Sequence, residues 1–139
     1  MILRVEAGGR LSPIAPAEHW RCVNENTTMS RRYCLTLDLK DDPKLIAEYK
    51  RYHENIWPEI TRSIKDFGIE EMEIYLLGTR MFMIMEVNDG FSFEAKAAAD
   101  AANSKVREWE ALMWKYQQAL PLAKPGEKWM SMERVFKLD

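Results

Sequence analysis

Tyr49, His53 and Trp57 recur every four residues within YKRYHENIWPEI, residues 49–60. On a helix that spacing lines side chains along one face, so a phenol, an imidazole and an indole can converge. Imidazole is the side chain that exchanges a proton near neutral pH, so the chemistry on offer is proton transfer. The sequence holds two histidines, and the other, His19, lies in the amino-terminal run. Pro58 cannot donate to the carbonyl of Glu54, and its ring presses on that turn. The helix is therefore expected to bend or restart just after Trp57, leaving polar groups beside the histidine open to a ligand. A plainer reading stands beside this one: a histidine and two tyrosines at the edge of a core, with their hydrogen bonds satisfied.

The elements that must hold these residues follow from periodicity. RYCLTLDL sets Tyr33, Leu35, Leu37 and Leu39 against Cys34, Thr36 and Asp38, the alternation of a strand. Asp41, Asp42 and Pro43 mark a helix start. The helix carries Leu45, Tyr49, Tyr52, Ile56, Ile60, Ile64 and Phe67 and closes at Gly68. EEMEIYLL and MFMIMEV read as two strands joined by a tight turn at Gly78, Thr79 and Arg80. Glu71 and Glu73 read most simply as a solvated strand face; the alternative is that Tyr75, on their side, marks a polar cavity. A helical region runs from Phe91 to about Leu120, broken near Asn103, where Asn103 or Ser104 can cap a second segment. KWMSMERVFKL closes the chain as a fourth strand.

The order β-α-β-β-α-β predicts an α+β, ferredoxin-like fold: a four-stranded antiparallel sheet with two helices on one face. Residues 1–30, with Gly8, Gly9, Pro13 and Pro16 and no sustained periodicity, read as a poorly structured or extended tail. Residues 31–139 read as a single domain. The strand Met81–Val87 is apolar on both sides, with Met81, Met83, Met85 and Val87 on one face and Phe82 and Ile84 on the other. Helices on a single face leave the second uncovered, so a homodimer with sheets packed face to face is expected.

Composition narrows the function. At 139 residues the chain cannot hold a cofactor domain beside a substrate domain. A formal net charge of −2, with interspersed signs, gives no basic stripe for nucleic acid. No apolar run approaches the length of a membrane span. Two cysteines, Cys22 and Cys34, without metal or redox spacing, point to a cytoplasmic setting and to no metal site. Phosphate-loop and nucleophile-elbow patterns are missing. Aromatic rings, hydroxyls, one imidazole and several acids remain. That set suits a monosaccharide, with rings stacking on C–H faces and polar groups taking the hydroxyls.

From Tyr33 onward the chain resembles the L-rhamnose mutarotase family. The resemblance lies in YKRYHENIWPEI, the strand IYLL with its hairpin, MWKYQ and the closing MERVFKL. It implies a dimeric α/β barrel that interconverts the α and β anomers of a 6-deoxy-L-hexose, a reaction needing no cofactor. By position it implies a catalytic role for His53 and site roles for Tyr49, Tyr75 and Trp114; Trp57, on the face of His53, is expected to wall the sugar together with Trp114. Rhamnose-specific members carry two adjacent tryptophans where this chain has Met113 and Trp114, a pattern closer to relatives associated with L-fucose. Two other readings use the same residues: a cofactor-free monooxygenase of the same dimeric architecture, and a non-catalytic sugar-binding module.

Overall fold

The first strand, β1 (Arg31–Leu39), is followed by a helix whose start is chemically marked. The Asp42 carboxylate accepts from the backbone N–H of Lys44 at 2.9 Å and of Leu45 at 3.3 Å, satisfying donors that a helix start leaves open. That helix, α1 (Pro43–Glu54), stops short of Pro58, and α2 (Pro58–Asp66) restarts with the proline in its first turn, as the sequence predicts. The structure, a computed structural model, describes residues 31–139, so the expected tail lies outside the described residues.

Strands β2 (Ile69–Leu77) and β3 (Arg80–Val87) form the expected hairpin. Gly78 takes φ +60° at its turn, a left-handed conformation that glycine adopts without steric cost. Asn103 separates α3 (Phe93–Ala102) from α4 (Ser104–Trp114), its side chain accepting from Lys105 N at 3.1 Å and Val106 N at 3.3 Å. With each broken helix counted once, this is the ferredoxin-like α+β order.

The end of the chain differs from expectation. The second helical region ends at Trp114 rather than near Leu120, because Gln117 leaves the helix to pair with Leu39 in β4 (Gln117–Gln118). The expected long closing strand shrinks to β5 (Met130–Ser131), which pairs with Thr36 and Leu35. Both short strands share one edge of β1. The sheet thus has five strands, not four, ordered β2-β3-β1-β4 with β5 also on β1. Beyond the bond from Met132 N to the Cys34 carbonyl the chain is exposed, Val135 reaching 90% and Leu138 81%.

Register sorts the side chains. Leu35 faces Met83 and Leu37 faces Met81 across β1 and β3, and Met72 and Ile74 of β2 continue that layer beside Met85 and Met83. This is the inner face, and it packs with Tyr49, Ile60, Val106, Trp109 and Trp129 into one core. Within the helical layer, Lys96 of α3 donates to Ser63 of α2 at 3.2 Å and to Asp100, an ion pair almost wholly out of solvent. Among the described residues no helix is long and apolar enough to cross a membrane.

Candidate active site

Between α1, α2 and the inner face of β2 lies a cleft of about 530 Å³. Tyr49 and His53 of α1 line it, one helical turn apart, with their rings 4.3 Å between centroids. Leu76, Met81 and Leu39 give it an apolar floor, while Thr61 and Lys65 of α2 and Glu70 and Glu71 of β2 add polar groups.

The His53 ring is oriented by its own helix. Its Nδ1 lies 2.8 Å from the Tyr49 carbonyl, and a carbonyl only accepts, so Nδ1 carries the proton and donates. In the neutral ring Nε2 is then the basic nitrogen. Burial holds the imidazole below its ordinary pKa, with the Tyr49 carbonyl opposing that shift in part. At neutral pH the ring is a base. Burial pushes the Tyr49 phenol up to about 12, against a small opposing pull from Gln117, so it stays protonated and is a donor. Gln117 Nε2 donates to the Tyr49 oxygen across a long 3.5 Å.

The remaining expected site residues are placed elsewhere in the chain. Tyr75 belongs to the outer face of the sheet, opposite Phe82, where it is 54% exposed and donates to Glu73 at 2.6 Å. The sheet itself separates it from His53, since from Met72 on β2 alternates, the even-numbered residues half-buried and the odd-numbered Glu73, Tyr75 and Leu77 exposed on the other face. Trp57 packs edge-on against Trp109 at 5.2 Å, with the Lys105 ammonium 5.8 Å from its ring centroid. Met113 is buried in the core. Trp114 is 38% exposed at the end of α4, with the Lys128 ammonium 4.9 Å from its ring centroid. None of these four lines the cleft.

Gln117 and Glu70 went unnoticed in the sequence. Gln117 is buried only because β4 pairs it beside β1, and Glu70 reaches the cleft through an irregularity of β2. No local pattern announces either. Among the described residues, no three His, Cys, Asp or Glu side chains group closely enough to hold a metal ion.

Among the described residues, a ferredoxin-like domain thus presents one histidine at an apolar-floored cleft, a frame compatible with a small enzyme. Comparison with known proteins gives that class a family. The family model for L-rhamnose mutarotase matches residues 32–138. An L-fucose mutarotase from Xanthomonas campestris pv. campestris is 46% identical over 111 residues, covering 78% of this chain and 89% of that protein. An L-rhamnose mutarotase from Acidiphilium cryptum is 30% identical over 99 residues, 70% of this chain and 89% of its own. The crystal structure of L-rhamnose mutarotase from Formosa agariphila superposes with TM-score 0.57 at 25% identity, covering 78% of this chain and 99% of that one. Tetracenomycin F2 cyclase from Streptomyces glaucescens shares the fold, with TM-score 0.51 at 14% identity, covering 78% and 97%. The chain belongs to the L-rhamnose mutarotase family and is an isomerase.

Proposed function

We propose that this enzyme interconverts the α and β anomers of a 6-deoxy-L-hexose, with L-fucose preferred over L-rhamnose, and that His53 transfers the proton. The observation that carries the reading is the tethered imidazole: Nδ1 is committed to the Tyr49 carbonyl in a ring that lines the cleft, leaving Nε2 for a substrate. The sugar preference rests on the 46% identity to an L-fucose mutarotase, with Met113, by the resemblance described above, in the place of a first tryptophan.

Nε2 removes the proton of the anomeric hydroxyl as the bond from C1 to the ring oxygen breaks. The resulting imidazolium returns that proton to the ring oxygen, giving the open aldehyde. Both oxygens sit on the same carbon, so one nitrogen can serve each in turn. Rotation about C1–C2 and the reverse sequence close the other anomer. Tyr49, protonated throughout, donates to the oxygen on which negative charge develops. Water already performs this reaction, so a positioned acid/base group worth about 10²- to 10⁴-fold is adequate.

A homodimer completes the proposal. Tyr75, Leu77, Phe82 and Ile84 form an apolar patch on the outer face, and a second sheet packed on it would bury both. Tyr75 then belongs to the interface and not to the His53 cleft. Light scattering after size exclusion should give twice the chain mass at micromolar concentration; a monomer there removes the dimer. Saturation-difference NMR of anomeric protons tests the reaction. Exchange should quicken for L-fucose most and for L-rhamnose less, and an unchanged rate for both sugars would end the mutarotase reading.

A further inference from the structure

The polar wall of the cleft opposite α1 is built by a register fault. In β2, Ile69 faces Val87 and Glu71 faces Glu86, so two steps along β2 match one step along β3 and Glu70 is the extra residue. This is a β-bulge. Strict alternation from the buried Ile69 would put Glu70 opposite Glu86 on the outer face, beside the half-exposed Ile84. As the extra residue Glu70 is left out of the pairing with β3, and it lines the cleft with His53, beside Glu71.

The fault is pinned at its start. Gly68, at φ +86°, precedes it, and its carbonyl accepts from Asn88 N at 2.9 Å. A Cβ on Gly68 would lie 2.3 Å from the Asn88 side-chain oxygen, which itself accepts from Gly90 N at 3.0 Å. A residue other than glycine at 68 would be strained at that φ and would displace the Asn88 side chain, so the two pack as a close pair where the strand enters the sheet. A bulge held this firmly beside a cleft re-aims a side chain.

We propose that Glu70 is a sugar-binding residue of the His53 site, its carboxylate accepting hydrogen bonds from ring hydroxyls and so setting which carbon of the sugar reaches the imidazole. The inference rests on the mutarotase reading above. Ring hydroxyls are donors and a carboxylate accepts strongly; of the two that line this side, Glu71 is paired opposite Glu86 of the outer face, which leaves Glu70. Proton transfer stays with His53, so Glu70 acts on binding and not on the chemical step.

The test is the KM and kcat of anomer exchange for L-fucose in the intact enzyme, its Glu70→Ala and Glu70→Gln variants, and Glu59→Gln as a control, with circular dichroism checking each fold. Loss of a hydrogen bond to a charged group, in an exposed setting, should raise KM in Glu70→Ala about 10-fold with kcat little changed. Glu70→Gln keeps an acceptor oxygen and should fall between, and Glu59→Gln, an exposed acid at the start of α2, should match the intact enzyme. An active enzyme whose KM is unmoved by Glu70→Ala, or whose kcat falls instead, overturns the role of Glu70 alone. An intact enzyme that accelerates neither sugar overturns the mutarotase reading and this inference with it.

Discussion

The two faces of one sheet carry opposite fates for similar residues. On the inner face, Met81, Met83, Met85 and Val87 vanish beneath the helices, and the cleft opens where α1 and α2 pass over β2. On the outer face, Phe82 and Ile84 are half-exposed and Tyr75 and Leu77 are exposed. Tyr75 with Glu73 looks as reactive as Tyr49 with His53 when written as a string. What separates the pairs is parity along a strand, because neighbouring side chains take opposite faces. Chemistry follows from side, not from residue type.

Adjacent residues give the sharpest way to break this contrast. Met83→Ala, at a site with no exposure, should lower stability by about 2–5 kcal/mol in chemical denaturation, since it leaves a cavity the core cannot fully close. Ile84→Ala, one residue on, should lower it by about 1 kcal/mol at a concentration where the chain is monomeric. Equal losses would mean that the outer face is packed as tightly as the inner. At higher concentration the Ile84 variant should also lose the concentration dependence of its melting temperature, if the outer face is the dimer contact.

The tyrosines carry the same contrast into catalysis. Tyr49→Phe should cost about 10-fold in kcat/KM, the worth of one hydrogen bond to developing charge, while Tyr75→Phe should leave it within about two-fold. The reverse result would mean that the sugar sits on the outer face.

A smaller effect is expected in the pH profile. In the proposed mechanism the neutral imidazole is the active form, present above its pKa, and burial holds that pKa below the ordinary 6.5. Activity should therefore persist down to pH 6.5 and fall only as pH drops through the lowered value. A half-point above 6.5 would contradict a desolvated base.

Much of the frame was legible in local chemistry. Pro58 after Trp57, Asp42 before Pro43, Gly78 in the hairpin and Asn103 between α3 and α4 each act within a few residues, so reading them needs no tertiary knowledge. His53 could be singled out for the same reason, being scarce and on the face of Tyr49. What the string hides is pairing between distant segments. The side of Tyr75 depends on where the helices lie, and Glu70 on an unequal step between β2 and β3. The burial of Gln117 depends on a two-residue strand that interrupts a helical pattern. KWMSMERVFKL reads as a strand, yet a strand needs an edge, and β1 pairs on its free edge only with residues 117–118 and 130–131.

In the proposed mechanism one imidazole, tethered through Nδ1, moves the proton. The direct measurement is anomeric proton exchange of L-fucose by saturation-difference NMR, comparing the intact enzyme with His53→Ala at equal fold content by circular dichroism. Catalysed exchange should fall by about 10²- to 10⁴-fold in the variant. A folded His53→Ala variant that exchanges the anomers as fast as the intact enzyme would contradict the mechanism.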